Sequence, residues 1–160
     1  MGKYHETAVA DEIVELQRLF NSAKENYENI NFKDALKDIL AVSSVGNKYF
    51  QSNEPWKLIK EDKKKTEEVL AFCAAIIENL SILLTPMLPI FSANLQKQLG
   101  KSNLTWHDLG FAEKTFHLKN VAPLFVKLEN RHEKLIVTKD GKEEKGKKEN
   151  KEKNNEKITH

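Results

Sequence analysis

Apolar residues recur along the first half of the chain at steps of three and four, the period of an α-helix. One series predicts a helix from roughly Thr7 to Glu28, with a buried face of Val9, Ile13, Leu16, Phe20, Ala23 and Tyr27. A second series follows Asn31, a residue type that often caps helix starts. Its predicted buried side consists of Phe32, Ala35, Leu36, Ile39, Val42 and Tyr49. Gly46 lies on that side, where glycine costs about 1 kcal/mol relative to alanine, so we expect close helix packing there.

The second helix is interrupted at Glu54-Pro55. Proline disfavours helical angles in the residue before it and is a good first residue of a new helix. We therefore predict a kink or tight turn, followed by a short helix that begins near Trp56. After a charged segment, Thr66 resembles another helix start.

The run Val69–Leu84 is apolar around most of its circumference, which predicts a central helix buried on most sides. Pro86 and Pro89 end it and begin a last helix, for which Gly100 is a suitable C-cap. The periodicity fails from Lys101 to Pro123, where short pieces such as Leu104-Thr105-Trp106 are expected to pack on the bundle.

Beyond Thr138 the sequence is almost entirely Lys, Glu, Asn and Gly, a composition that cannot bury a core. The fold prediction is therefore an all-α helical bundle with a short irregular C-terminal extension and a disordered tail. The domain boundaries are residues 1–138 for the bundle and 139–160 for the tail.

Charge and cysteine content narrow the function classes. The formal net charge is +2, and the eight lysines and six acids between Lys139 and Lys157 account for all of it. The remainder is neutral, so contact with nucleic acid would have to be local rather than a bulk attraction. The single cysteine, Cys73, and the lack of a signal peptide favour a reducing compartment, and we expect the cytoplasm. Polar residues and prolines interrupt the most apolar stretch, so no membrane span is predicted.

Sequence motifs for catalysis are missing from the chain. It contains no GxxxxGK phosphate loop, no GxGxxG and no HExxH. None of the five histidines pairs with another histidine or with Cys73 at ligand spacing, so no metal site is predicted. No acid stands alone on an apolar face, and we therefore predict no catalytic residues.

Trp56 has two physical interpretations. A stiff aromatic ring beside Lys57 and Lys60 could be a platform on which an unpaired base stacks. It could equally be a core residue that holds the turn together. The nearby lysines are mixed with Glu61 and Asp62, as in an ordinary solvated turn.

The stretch Asn47-Lys48-Tyr49 followed by Asn53-Glu54-Pro55-Trp56-Lys57-Leu58-Ile59-Lys60 resembles the C-terminal helical anticodon-binding domain of methionyl-tRNA synthetase. Further landmarks occur in the same order: the paired prolines of Leu84–Pro89, the Leu104-Thr105-Trp106 motif and the Pro123–Glu129 segment. The likeness covers roughly Ala8 to Glu129. Its last segment looks most like the eukaryotic cytoplasmic members.

The resemblance implies that Trp56 stacks on the cytosine at the first anticodon position of methionine tRNA. Stacking accepts any base, so selectivity requires hydrogen bonds to the base edge. Asn47 and Asn53 are candidates for these by proximity, and Lys57 and Lys60 are candidates for phosphate contacts.

The family's nucleotide-binding fold, with its His-Ile-Gly-His and Lys-Met-Ser-Lys-Ser signatures, does not occur in this sequence. The first-helix residues that read the anticodon are expected upstream of residue 1. We therefore expect a fragment of a longer protein or a split gene product, which works with a catalytic domain in cis or in trans. ATP would be used by that domain, and this chain would need no cofactor. The alternative is a stand-alone helical module that binds a protein partner and keeps Trp56 in its core.

Overall fold

The computed structural model describes Tyr4, residues 6–111 and residues 122–124. Within these residues the chain is helical and forms no strand, which confirms the predicted all-α bundle. Five α-helices follow one another: α1 (Ala10–Glu28), α2 (Phe32–Asn53), α3 (Pro55–Leu58), α4 (Lys63–Leu83) and α5 (Pro89–Gln98). Short 3-10 turns occupy Glu6–Val9 and Trp106–Asp108. The boundary predicted at residue 138 and the tail from Lys139 lie outside the described residues.

The core forms where α1, α2 and α4 meet, and Phe72 of α4 lies at its centre. Its ring is fully buried and contacts the rings of Tyr4, Tyr49 and Phe111, with centroids 5.2, 4.9 and 5.5 Å away. The predicted stripe of α1 is confirmed, since its interior members are buried: Leu16, Phe20 and Ala23, joined by Leu19.

The predicted buried side of α2 is partly wrong. Ala35, Ile39 and Val42 are buried, but Phe32 and Leu36 are 53% and 41% exposed. The reason is geometric: α2 contacts α1 and α4, and around the helix axis Phe32 and Leu36 lie about 60° from the buried positions Ala35 and Ile39, respectively. An apolar residue at helical spacing is therefore not always covered.

Asn31 occupies the N-cap position of α2, as predicted, but does not act as a side-chain cap. Its side chain accepts no hydrogen bond from the first turn of α2. Instead the Asn31 amide donates to Asp34 Oδ2 at 2.7 Å and to Asn26 Oδ1 at 3.2 Å. The side chain is thus used to link α1 to α2 across their short connection.

Gly46 fulfils the expectation of close packing. A Cβ atom at this position would lie 3.2 Å from Cγ2 of Ile76 on α4. That approach is shorter than ordinary van der Waals contact, so the small residue lets α2 and α4 come together. The gain in packing offsets the low helix propensity of glycine.

Helix α4 begins three residues earlier than predicted. Asp62 caps it by accepting a hydrogen bond from the Lys65 backbone N–H at 2.9 Å, whereas Thr66 lies inside the first turns. The helix is buried on most sides as expected, although Leu70 and Ile77 remain 45% and 39% exposed.

Helix α5 starts at Pro89 and ends before Gly100, as predicted. Gly100 has a φ of +72°, and its N–H donates to the Lys97 carbonyl at 3.1 Å. The chain then returns across the bundle as an irregular segment.

The irregular segment is held by Asn79, a fully buried residue of α4. Its amide Nδ2 donates to the Gly110 carbonyl at 2.9 Å, and the Gly110 N–H donates to Asn79 Oδ1 at 2.7 Å. The rings of Trp106 and Tyr27 form an edge contact, with their centroids 5.7 Å apart. The expectation that Leu104-Thr105-Trp106 packs on the bundle is confirmed.

Candidate nucleic-acid interface

The turn between α2 and α3 is built by Glu54 and Pro55. Glu54 adopts left-handed backbone angles, φ 40° and ψ 56°, and Pro55 is the first residue of α3. The Glu54 carbonyl accepts hydrogen bonds from Lys57 N–H at 2.8 Å and Leu58 N–H at 3.1 Å. Pro55 is buried. The predicted tight turn is therefore present, and its backbone fixes the position from which Trp56 projects.

Trp56 is neither fully buried nor free of the bundle. Its side chain is 46% exposed, and its ring contacts Phe50 of α2 with centroids 5.5 Å apart and planes inclined by 51°. Ile59, three residues further on, is 55% exposed. The exposure expected of a stacking platform is therefore present, while the indole also makes a tilted contact with the Phe50 ring.

The two asparagines predicted near the site are not brought together. They are separated by six residues of α2, so their side chains project about 120° apart around the helix axis. Asn47 is exposed and lies one helical turn before Phe50, on the same face. Asn53 is only partly exposed and donates from Nδ2 to the Tyr49 carbonyl at 2.9 Å.

Asn53 instead lines a cavity of about 350 Å³ at the end of the bundle. Tyr49, Glu12, Lys65 and Glu68 also line that cavity. Burial is the main reason that the pKa of Tyr49 rises to about 12, with further contributions from Cys73, Glu12 and Glu68. The Tyr49 hydroxyl therefore stays protonated at neutral pH.

Lys57 and Lys60 both lie on the exposed side of the turn. Lys57 is engaged locally, because its Nζ donates to Glu54 Oε1 at 2.7 Å. This is an exposed pair and contributes little to stability. In the described part of the chain Lys60 forms no ion pair, so it is the freer of the two cations.

Three further findings concern thiol reactivity, metal ligands and helix hydrophobicity in the described residues. Burial raises the pKa of the Cys73 thiol to about 11, which suppresses its reactive thiolate form. Residues 4, 6–111 and 122–124 contain no group of three potential metal ligands. Among the described helices none is long and apolar enough to cross a membrane.

Phe50 was not among the residues selected from the sequence. It lies six positions before Trp56, too far for neighbouring turns of one helix. The left-handed turn at Glu54 brings the two rings together. Its only sequence signal is its place one turn after Asn47, on the same exposed face.

Comparisons with known proteins agree with this architecture. The family described as "Anticodon binding domain of methionyl tRNA ligase" matches residues 2–144. The chain is 38% identical to the methionine–tRNA ligase of Methanococcoides burtonii over 120 residues, which is 74% of this chain and 17% of that protein. It is 33% identical to the Methanopyrus kandleri enzyme over 133 residues, covering 79% of this chain and 20% of that protein.

A third relative is the methionine–tRNA ligase of Parabacteroides distasonis, 33% identical over 160 residues, with 89% of this chain and 24% of that protein covered. The chain thus spans about a fifth of the length of these curated relatives. The three relatives do not test the likeness to eukaryotic members, which stays a prediction. These matches do not favour the stand-alone interaction module. The chain belongs to the family of the anticodon-binding domain of methionyl-tRNA ligase.

Proposed function

We propose that this chain binds the anticodon loop of a methionine tRNA, with Trp56 stacked on the cytosine at the first anticodon position. The observation that carries the proposal is the half-exposed indole on a turn fixed by Glu54 and Pro55. A side chain held in place before binding loses little conformational freedom when it binds. Stacking of one base on such a ring contributes about 1–3 kcal/mol.

Selectivity for cytosine needs polar groups beside the ring. Asn47 is the better candidate of the two asparagines, because its side chain is exposed, whereas that of Asn53 is only partly exposed. No hydrogen bond engages its amide among the described residues. Asn53 already donates one amide N–H to the Tyr49 carbonyl, which ties its side chain to α2 and leaves it one N–H donor and the Oδ1 acceptor. We therefore assign the base-edge contact to Asn47.

Phosphate contacts would come from Lys60 and, after separation from Glu54, Lys57. Two local cations on a neutral body predict modest affinity with a shallow salt dependence. Each phosphate neutralised on single-stranded RNA contributes about 0.7 to the slope of log affinity against log salt concentration. Two contacts predict a slope of roughly −1.4.

The complete aminoacylation reaction would belong to methionine–tRNA ligase, which uses ATP to attach methionine to its tRNA in the cytoplasm. In this proposal the chain supplies RNA recognition, and the catalytic domain acts in cis or in trans. The proposed contribution of this chain is RNA binding alone. The proposal includes no membrane partner.

Fluorescence polarisation with labelled RNA hairpins would test the proposal. One hairpin carries the methionine anticodon CAU, and a second differs only by a purine at the first anticodon position. We expect tighter binding of the CAU hairpin and a salt slope of roughly −1.4, the value for two phosphate contacts. Lys60→Ala should make that slope shallower. Lys33→Ala is the matched control, because Lys33 is exposed at the opposite end of α2. Equal affinity for both hairpins, with a slope unchanged by Lys60→Ala, would overturn it.

A further inference from the structure

Phe50 occupies a specific place behind the exposed indole. It projects from the last turns of α2, is partly buried, and meets the Trp56 ring at a centroid distance of 5.5 Å. The two planes are inclined by 51°. This is a tilted aromatic contact, in which one ring limits the rotation of the other.

The backbone alone does not fix the indole. The left-handed Glu54, the buried Pro55 and the Glu54–Lys57 pair hold the turn, but the two side-chain torsions of Trp56 remain free to change. Among the described residues Phe50 is the aromatic side chain in contact with Trp56. An indole without that support would sample several orientations and lose more freedom on binding.

We propose that Phe50 is a positioning residue for RNA recognition: it backs one side of Trp56 and leaves a single indole face open to one base. This inference rests on the proposed function of Trp56. Phe50 acts through the indole and not by touching RNA. Its removal should therefore change both the mobility of Trp56 and the affinity for the hairpin, but only while Trp56 is present.

The test uses the 160-residue chain with Trp106→Phe as background, so that fluorescence reports Trp56 alone. Phe50→Ala is compared with Phe50→Leu, which keeps an apolar side chain in the same place. Phe32→Ala is the matched control, because Phe32 lies on the same helix and forms an edge contact with Tyr27, centroids 6.2 Å apart, at its other end. The RNA is the CAU hairpin, and circular dichroism reports folding.

For Phe50→Ala we expect faster depolarisation of Trp56 emission, stronger acrylamide quenching and about three- to tenfold weaker RNA binding, the range expected for loss of one aromatic pair. Phe50→Leu should show a smaller loss and Phe32→Ala none. Should Phe50→Ala unfold, Phe50→Leu carries the comparison. In a Trp56→Ala chain, Phe50→Ala should weaken binding no further.

Two results would overturn the role of Phe50. One is an equal loss of affinity with and without Trp56, which would mean that Phe50 acts independently of the indole. The other is unchanged affinity in folded Phe50→Ala while Trp56→Ala weakens binding. If Trp56→Ala itself leaves the affinity unchanged, the proposed function fails, and the Phe50 inference fails with it.

Discussion

Replacing Asn79 should destabilise the bundle substantially, because this small side chain makes several buried hydrogen bonds. The side chain is fully buried and makes three hydrogen bonds: to the Ala75 carbonyl at 2.8 Å, to the Gly110 carbonyl at 2.9 Å and from the Gly110 N–H at 2.7 Å. Asn79→Ala removes all three and leaves both backbone groups of Gly110 without their partner. A buried polar group left unpaired costs about 1–3 kcal/mol.

Gly110 is only partly buried, so water can replace some of what is lost. We therefore expect Asn79→Ala to reduce the free energy of unfolding by about 2–4 kcal/mol. Urea titration followed by circular dichroism would measure this, with an unchanged m-value as the check on two-state behaviour. Asn94→Ala is the control, because Asn94 is exposed on α5, and its effect should stay within about 0.5 kcal/mol.

Asn79→Asp provides a second comparison with the same shape. The carboxylate can accept from Gly110 N–H but would face the carbonyls of Ala75 and Gly110 without a donor. Burial and these carbonyls raise the pKa of the new carboxyl in the folded state. The protonated form is therefore favoured by folding, and the deficit should be largest at pH 7 and shrink as pH falls towards 4. A loss in Asn79→Ala no larger than in Asn94→Ala would refute the account of Asn79.

Three further predictions concern α2 and α4. Gly46→Val should destabilise by about 1–3 kcal/mol through overpacking against Ile76, and Ile76→Ala should relieve part of this in the double variant, as measured by urea unfolding. Alkylation of Cys73 by iodoacetamide at pH 8 should be about a hundredfold slower in the folded chain than in urea, because its pKa rises to about 11 from 9.0. The pKa of Tyr49 rises from 10.0 to about 12 in the folded chain, so its contribution to stability is complete below pH 10 and is lost as pH rises to about 12. Tyr49→Phe should therefore weaken the dependence of the melting temperature on pH between pH 10 and 12.

Sequence periodicity predicted the parts of the fold that depend on one helix at a time. The stripe of α1, the turn at Pro55 and the stop at Gly100 follow from local preferences. The exposure of Phe32 and Leu36 could not be predicted, because it depends on which arc of α2 its neighbours cover. The start of α4 was predicted too late because the charged run Glu61–Lys65 resembles a solvated turn. The capping role of Asp62 is apparent only in the structure.

The candidate site shows the same division. The turn followed from the Glu54-Pro55 pattern, whereas the residues alone left the exposure of Trp56 open and the family resemblance favoured it. Asn47 and Asn53 were paired by distance along the chain, although helix rotation sends them in different directions. Phe50 was missed because its contact with Trp56 exists only after the left-handed turn is formed. Contacts across a turn require the backbone angles, which sequence spacing does not provide.

The most direct test of the central claim compares RNA affinity and stability in Trp56→Ala, with Trp56→Phe as the aromatic control. Loss of one stacked base predicts about a five- to hundredfold weaker affinity for the CAU hairpin. Because the ring is 46% exposed, the loss of stability should stay below the roughly 3–5 kcal/mol typical of a fully buried aromatic. Trp56→Phe should retain most of the affinity. An Ala variant that binds the hairpin as tightly as the unmodified chain but melts far earlier would contradict the account and identify Trp56 as a core residue.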